Sequence, residues 1–299
     1  MFNEDSRVKI PAILHLCRLG YTYIPKSKQD RLEENNIFPD IFKRSISRIN
    51  PQISEEEIQR LLTDVSLKLN YDDLGREFFR SLVNSSGTKL IDFENFNNNE
   101  FHVTTELTCK KGDEEFRPDI TVLINGMPLV FIEVKKPNNR EGVIAERNRI
   151  NKRFALKDFR AFTNVTQLML FSNNMEYEDG VIEPIMGAYY ATPSKDGVMF
   201  NYFREEELLN YTNLLKPENE ELENLVLKDN NIVAIKYTDE FKLNKNYETP
   251  TNRIITSLLS KERLAFFLQF GITYVERTNR EGKIVIEKHI MRYPQFFAS

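Results

Sequence analysis

The sequence predicts an α/β protein built on a mixed central sheet, and three observations lead to this prediction. The first third of the chain carries the apolar periodicity of helices. The period then changes, and β-branched residues between about 102 and 134 predict strands on both sides of an Asn125-Gly126 hairpin signal. A helical stretch and another strand follow. This order is typical of an α/β core whose sheet is flanked by helices.

Composition sets the limits of the prediction. The chain has 299 residues, enough for one large domain or two smaller ones, with 40% hydrophobic and 29% charged residues. Neither an apolar run of about 18 residues nor a signal-peptide pattern is visible, so we expect a cytoplasmic protein without a membrane contact. Cys17 and Cys109 are expected to be reduced thiols. His15, His102 and His289 lack ligand spacing, which argues against a histidine metal site.

The helices are predicted from their apolar faces and their ends. Ser54 followed by Glu55, Glu56 and Glu57 is typical of a capped helix start, because anionic side chains are favoured in the first turn. The turn at 84–87 ends the next helix. Helices are predicted over about Glu4–Arg18, Ser54–Leu69, Asp73–Val83 and Glu141–Phe162, and again after Pro250.

The strands are predicted from alternation and from β-branched residues. They are expected over His102–Cys109, Asp119–Ile124, Pro128–Val134, Val165–Ser172, Val181–Ala191 and Val198–Tyr202. The acidic segment Arg204–Glu240 is interpreted as surface helices or loop, because runs of carboxylates are usually solvated. A strand-like segment is expected after Phe266 and Phe267.

Two carboxylates and a lysine stand at the ends of adjacent predicted strands. Asp119 follows Arg117-Pro118, and Glu133 and Lys135 close the next strand. The two carboxylates, with the backbone carbonyl of Val134, could bind a hard cation such as Mg²⁺, which prefers oxygen ligands. Such an ion lowers the pKa of a bound water, and Lys135 would orient that water or offset charge in the transition state. The pattern suits hydrolysis of a phosphodiester.

The hairpin provides a geometric test of this metal site. Glu133 and Lys135 are two residues apart on one strand and therefore share a face. A strict two-residue turn would set Asp119 opposite Ile132, leaving Asp119 and Glu133 on opposite faces. The metal site therefore predicts an odd-length loop or a β-bulge. The alternative, a structural Glu–Lys pair at a strand end, requires neither.

A basic segment follows the lysine. Between Lys135 and Arg160 there are nine basic and three acidic residues, although the whole chain has a net charge of −4. A positive patch on an acidic protein is what a localised phosphate-binding surface needs, and the alternative is a solvated helix face. The candidate DNA-binding residues are Lys136, Arg147, Arg149, Lys152 and Arg153.

Two stretches carry a family resemblance. Leu90–Phe101 and Arg117–Pro137, which contains Arg-Pro-Asp-Ile and Ile-Glu-Val-Lys-Lys-Pro, resemble the N-terminal nuclease region of type I restriction R subunits (HsdR). The similarity extends to Val165–Asn173 and to C-terminal stretches at 263–267 and 292–298. The resemblance implies a PD-(D/E)xK (restriction endonuclease-like) core, with a mixed sheet flanked by helices and extra N- and C-terminal helices.

The resemblance also implies a function and a division of the chain. We expect a Mg²⁺-dependent endodeoxyribonuclease domain over residues 1–248, with its core at about 90–203. Residues 249–299 would be a linker and the start of a helicase motor that this chain does not contain. The full subunit would use ATP, act on double-stranded DNA, and work with methylation (M) and specificity (S) subunits. The ATP-binding loop G-x-x-x-x-G-K-[ST] is absent from this sequence.

Site residues follow from the resemblance. It makes Asp119 and Glu133 metal ligands and Lys135 the catalytic lysine. Glu4 resembles an auxiliary acidic residue, and its alternative role is a helix N-terminal carboxylate favoured by the dipole. Gln295 stands where the adenine-contacting glutamine of the motor is expected.

The sequence departs from the family at one motif. Many of these nucleases carry Gln-x-x-x-Tyr on the helix after the lysine, whereas Ala145–Phe154 contains neither residue type. Arg149 and Arg153, or Ile150 and Phe154, stand at that spacing. Two alternatives therefore stay open. One is a degenerate module that binds DNA or a subunit without catalysis, and the other is a stand-alone repair nuclease.

Overall fold

The computed structural model describes residues 4–111, 114–137, 139, 142–177, 186–194, 197–278 and 282–298. The strands are β1 (Thr22–Tyr23), β2 (Phe101–Thr105), β3 (Cys109–Lys111), β4 (Glu114–Phe116), β5 (Ile120–Ile124), β6 (Met127–Val134), β7 (Leu168–Ser172), β8 (Ala188–Ala191), β9 (Asn201–Tyr202), β10 (Ile272–Thr278) and β11 (Ile284–Ile290). The helices are α1 (Ile10–Arg18), α2 (Pro39–Ile49), α3 (Glu55–Lys68), α4 (Arg76–Leu82), α5 (Gly142–Phe154), α6 (Arg160–Val165), α7 (Tyr211–Leu214), α8 (Glu220–Asp229), α9 (Asp239–Asn244), α10 (Pro250–Leu259), α11 (Lys261–Phe270) and α12 (Tyr293–Phe296).

Seven strands form one mixed sheet in the order β1-β2-β5-β6-β7-β8-β9. The pairs β1–β2 and β6–β7 are parallel, and the other neighbours are antiparallel. Strands β3 and β4 form one separate two-stranded sheet, and β10 and β11 form another. The central strands β5 and β6 are buried along their whole length, as expected for a sheet covered on both faces.

Helices cover the two faces of the sheet. On one face, Val130 and Ile132 of β6 pack in a large apolar cluster with Ile13 of α1 and Ile255 of α10. On the other face, Phe131 packs in a second cluster, together with residues of α5 and α6. Alternate residues of β6 thus feed opposite cores. The predicted class, a mixed sheet flanked by helices and consistent with a PD-(D/E)xK nuclease fold, is confirmed.

The strand predictions locate the sheet but misplace several ends. The strand expected over His102–Cys109 stops at Thr105, because Glu106 takes a left-handed φ of 49°, and Cys109 starts β3 instead. The strand expected from Val165 starts at Leu168, since Val165 still ends α6. The predicted Val198–Tyr202 strand is only the short β9, and residues 181–185 of the strand expected over Val181–Ala191 lie outside the described part.

Helix predictions show a similar pattern. The stretch predicted as one helix over Glu141–Phe162 is divided, because Leu156 is extended between α5 and a 3₁₀ turn that leads into α6. Because the chain changes direction at this break between the helices, the side chains of Phe159 and Phe162 pack in the second apolar cluster. Asp73 precedes α4 and caps it, since its carboxylate accepts hydrogen bonds from the N–H groups of Gly75 and Glu77. Helix α2 and the β10–β11 hairpin were not predicted as such.

After residue 204 the chain forms helices α7 to α12 and the β10–β11 hairpin, and α10 and α11 pack on the core of the sheet. Helices α10 and α11 contribute Ile255, Leu258 and Leu264 to the same cluster as α1. Arg263 joins this region to the end of the sheet through ion pairs with Glu205 (3.2 Å) and Glu207 (2.7 Å). The division at residue 248 stays a prediction. In the described part of the chain, no helix is long and apolar enough to cross a membrane.

Candidate active site

The turn between β5 and β6 is a two-residue hairpin loop fixed by its packing. Asn125 and Gly126 both have positive φ values, 50° and 78°, and Ile124 pairs with Met127. A Cβ atom on Gly126 would lie 2.7 Å from the carbonyl oxygen of Phe38 at the start of α2. Glycine is therefore required both by the backbone conformation and by the close approach of α2.

A β-bulge corrects the register that this turn would impose. Leu123 pairs with Pro128 but Val122 pairs with Val130, so Leu129 is the extra residue on β6. Ile120 then pairs with Ile132. Continuing the register by one residue sets Asp119 opposite Glu133, on the same face. The β-bulge that the metal-site hypothesis required is therefore present in β6.

Lys135 lies between the two carboxylates. Its Nζ is 3.9 Å from Oδ2 of Asp119 and 3.7 Å from Oε2 of Glu133, and it donates a hydrogen bond of 2.9 Å to the carbonyl of Val134. The N–H of Val134 donates to Oδ2 of Asp119 at 2.9 Å. The three predicted side chains and the Val134 carbonyl thus come together at one end of β5 and β6.

The electrostatics of this cluster are those of crowded carboxylates. Burial raises the pKa of Glu133 well above its usual range, and the charge and hydrogen-bonding contact of Asp119 raise it further. Burial by itself would lower the pKa of Lys135. The carboxylates of Glu133, Asp119, Glu4 and Glu146 outweigh this effect, so the pKa of Lys135 is raised. Lys135 therefore stays protonated at neutral pH.

Glu4 reaches the same cluster from the other end of the sequence. It lies at the entry to the N-terminal helical segment, beside Lys135 and Asp119, and the N–H of Lys136 donates a hydrogen bond to its carboxylate. Burial raises the pKa of Glu4, and the neighbouring Lys135 partly offsets this. The structure therefore brings Glu4 beside Lys135 and Asp119, and its auxiliary role stays a prediction.

Glu146 is a further acidic residue of the site, and sequence reasoning missed it. It is 3% exposed, and its Oε2 lies 3.7 Å from Nζ of Lys135. Arg149 (3.0 Å) and Arg153 (3.4 Å) also pair with it. The signal was available, because residues at i, i+3 and i+7 share a helix face. It was overlooked because Glu146 was counted only as an acidic residue within a basic segment.

The predicted DNA-binding residues occupy different environments. Lys136, Arg149 and Lys152 are exposed. Arg153 is partly buried between Glu146 and the ring of Phe116, whose centroid is 4.6 Å away. Arg147 lies over the ring of Phe200 at 5.4 Å. Their role in DNA binding stays a prediction.

The donor set fits a hard divalent cation. The buried Glu133 and the partly buried Asp119 carboxyl groups are in hydrogen-bonding contact and repel each other when both are charged, and an ion between them would relieve this repulsion. Across the described residues, no group of three or more His, Cys, Asp or Glu side chains is arranged to hold a metal ion. The candidate ligand set is therefore Asp119 and Glu133 with the carbonyl of Val134.

Gln295 lies far along the chain, in the C-terminal helix α12. Its side-chain oxygen accepts a hydrogen bond of 2.9 Å from the N–H of Arg292, which closes the N-terminal end of the helix. The rings of Phe296 and Phe267 stack against each other, with centroids 5.1 Å apart. A nucleotide contact by Gln295 stays a prediction.

The mixed seven-stranded sheet flanked by helices is consistent with the class of PD-(D/E)xK-like nuclease folds. Comparison with protein families identifies the family of the chain. The family described as type I restriction enzyme R protein N terminus matches residues 1–178. The chain belongs to this family. The predicted resemblance is thereby confirmed.

Individual relatives agree with this assignment. A putative type I restriction enzyme MjaIXP endonuclease subunit of Methanocaldococcus jannaschii is 28% identical over 203 residues, covering 60% of this chain and 19% of the relative. The type I restriction enzyme SauMSSORF170P endonuclease subunit of Staphylococcus aureus (strain MSSA476) is 30% identical over 156 residues, covering 52% and 15%. The chain thus matches less than a fifth of the length of these relatives.

Proposed function

We propose that this chain is the DNA-cleaving region of a type I restriction enzyme R subunit, and that it hydrolyses DNA phosphodiester bonds with the help of Mg²⁺. The observation that carries the proposal is the bulge at Leu129. The bulge interrupts the regular hydrogen bonding between β5 and β6. It also brings Asp119 and Glu133 to one face of the sheet beside Lys135. A purely structural Glu–Lys pair would not need this shift of register.

Each residue has a defined task in this mechanism. Asp119 and Glu133, with the Val134 carbonyl, would hold the cation. When bound, the cation polarises the phosphate and lowers the pKa of an attacking water. Lys135 is held protonated, so it donates hydrogen bonds to a phosphate oxygen or to the water and offsets negative charge in the transition state. A protonated lysine does not act as the general base.

Glu146 supports Lys135 from α5. It holds the ammonium group at 3.7 Å, and its own charge is shared with Arg149 and Arg153. This group of three lies on the helix that carries Gln-x-x-x-Tyr in many relatives. We propose that it replaces that motif in positioning the lysine.

The whole subunit extends beyond this chain, and its other properties are proposals by similarity. They comprise ATP-driven translocation with a contact from Gln295, action on double-stranded DNA, and assembly with M and S subunits. The exposed Lys136, Arg149 and Lys152 are proposed to contact the DNA backbone, where cationic side chains supply affinity without sequence specificity.

Calorimetry tests the metal site directly. Titration of the chain with Mn²⁺ should show one binding event that is lost in Asp119→Ala and kept in the matched surface variant Asp64→Ala. In the assembled enzyme, Lys135→Ala should abolish cleavage and leave ATP hydrolysis intact. Absence of Mn²⁺ binding by the unmodified chain would favour a degenerate binding module. Plasmid nicking by this chain with Mg²⁺ and no ATP would favour a stand-alone nuclease.

A further inference from the structure

A cavity of about 260 Å³ opens where β7 and β9 end, next to α10. Its walls include three tyrosines, Tyr177, Tyr202 and Tyr211, and two arginines, Arg204 and Arg253. The volume lies just below the usual range for ligand pockets in proteins, about 300–1,000 Å³. It suits one planar group with a charged substituent better than a longer ligand.

The cavity and the candidate active site share one edge of the sheet. Val134 pairs with Ser172 at the end of β7, and Ser172 pairs with Ala188, which lines the cavity. The N–H of Lys135 donates to the carbonyl of Ser172 at 2.7 Å. Two strand spacings, about 10 Å, therefore separate the backbone of Val134 from that of Ala188. Glu133 faces α5, on the opposite face of the sheet from α10, so a DNA strand bound at the carboxylates would reach the cavity by passing the ends of these strands.

The tyrosines present aromatic faces at the cavity. Tyr177 stacks on Tyr202 with ring centroids 4.0 Å apart, and Tyr211 stacks on Tyr247 at 4.4 Å. The three lining tyrosines are partly exposed, and in each stacked pair the partner ring covers one face. Stacking on such platforms is how proteins hold unpaired bases without regard to sequence.

The charge around the tyrosines is suited to a phosphate. Arg204 is exposed, and within the described ranges no carboxylate forms an ion pair with it. Glu205 is neutralised by Arg263 at 3.2 Å and accepts a hydrogen bond from Ser257. Arg253 is paired with Glu176 at 2.6 Å. Among the described residues, Arg204 thus provides a cation beside the tyrosines that no carboxylate pairs with.

We propose that this cavity is a nucleotide-binding site in which the base stacks on the tyrosines and Arg204 binds the phosphate. The proposal rests on the proposed function in one respect: the nucleotide would belong to a strand of the DNA held at the active site. Free nucleotide has the same chemistry, and the experiment separates the two sources.

The test measures stacking with the fluorescent base 2-aminopurine, whose emission falls when it stacks. The probe is a single-stranded oligodeoxynucleotide carrying one 2-aminopurine, titrated with the chain in EDTA so that no cleavage occurs. The chain has no tryptophan, so protein emission does not interfere. Emission should fall on binding, and Kd should rise about tenfold in Tyr202→Leu and in Arg204→Gln.

The controls separate this site from general charge and from the metal site. Tyr237→Leu and Arg60→Gln remove a tyrosine ring and a guanidinium group at exposed positions away from the cavity. Both variants should bind the oligodeoxynucleotide as tightly as the unmodified chain does. Asp119→Ala should also keep the quenching, so the cavity can be confirmed even if the proposed function fails. Arg204→Gln, at an exposed position, guards against misfolding of Tyr202→Leu.

The outcomes are distinct. Displacement of the probe by dAMP at similar molar affinity supports the site with free nucleotide as the ligand. Displacement only by oligodeoxynucleotide supports it with a DNA strand as the ligand. Unchanged emission on binding, or Tyr202→Leu and Arg204→Gln that both bind as tightly as their controls, would overturn the proposal.

Discussion

The carboxyl groups of Asp119 and Glu133 face each other across β5 and β6 in hydrogen-bonding contact, with the Lys135 ammonium 3.9 and 3.7 Å away. Glu133 is 5% exposed, so little water screens the repulsion. Arg149 and Arg153 pair with Glu146, which leaves one lysine beside Asp119 and Glu133. The cluster is thus electrostatically costly in the absence of a cation.

This cost predicts opposite effects on stability and on metal binding. Glu133→Gln should raise the free energy of unfolding of the metal-free chain by about 1 kcal/mol, because it replaces a buried carboxyl group whose ionisation the folded state disfavours by an uncharged amide. It should also remove the stabilisation that Mn²⁺ gives to the unmodified chain. Thermal unfolding with and without Mn²⁺ measures both effects. Glu56→Gln, at an exposed position, should change neither. A destabilised Glu133→Gln without metal would contradict this account.

The close approach of α2 to the hairpin predicts a large penalty at Gly126. Gly126→Ala should lower the free energy of unfolding by about 3 kcal/mol or more, since the new methyl group overlaps backbone atoms of Phe38 and Phe42. Gly87→Ala is a matched control, because Gly87 has a similar φ of 79° and open space around it. It should cost only about 1 kcal/mol. Urea denaturation compares the two, and equal losses would mean that the contact with α2 is unimportant.

Lys288 predicts a pH-dependent stability. It is buried on β11, where its Nζ donates to the carbonyl of Thr166 (3.1 Å) and to Oε1 of Gln167 (2.9 Å). Burial lowers its pKa from 10.5 to about 7, and the attraction of Asp73 only partly opposes this. Between these two pH values the unfolded chain carries a proton that the folded chain lacks, so stability rises with pH across this window.

The comparison with Lys288→Met isolates this effect. The free energy of unfolding of the unmodified chain relative to Lys288→Met should increase from pH 7 to pH 10 by a few kcal/mol. Groups common to both proteins cancel in this difference. Lys242→Met, at an exposed position, should show no such change relative to the unmodified chain. A constant difference across the window would mean that Lys288 stays charged in the folded state.

The support of Lys135 by Glu146 predicts a loss of cleavage without a loss of metal. In the assembled enzyme, Glu146→Gln should lower the cleavage rate by about tenfold, because the lysine loses one of the groups that hold it. Mn²⁺ affinity should change little, and Glu146→Asp should restore part of the rate. Glu207→Gln is the control on a distant ion pair. Loss of Mn²⁺ binding in Glu146→Gln would instead make Glu146 a ligand.

The sequence was most informative where local signals and the chemistry agreed. Asn125-Gly126 defined the turn, and the requirement that Asp119 and Glu133 share a face predicted a bulge. Neither signal could locate the bulge at Leu129, because every residue there is apolar and fits either face. Strand ends were missed where tertiary packing decides, as at Glu106, whose left-handed backbone has no distinctive residue type.

Residues brought together from distant parts of the chain were harder to predict. Glu4 and Glu146 approach Lys135 from an N-terminal helical segment and from α5, and periodicity does not specify which helix faces lie on which strand ends. The tyrosine-lined cavity is lined by residues of β9, α7 and α10, so no single stretch of the sequence predicts it. The family resemblance suggested a role for Glu4. The contact between Glu146 and Lys135 was recognised only in the structure.

The stacking of α12 on α11 has a mechanical consequence. Phe296 lies against Phe267, and Arg263 covers the ring of Phe296 at 4.5 Å while it holds Glu205 and Glu207. A displacement of α12 would therefore disturb the segment after β9 through Arg263. Glu205 in this segment lines the tyrosine-lined cavity, so the position of α12 bears on the shape of that wall.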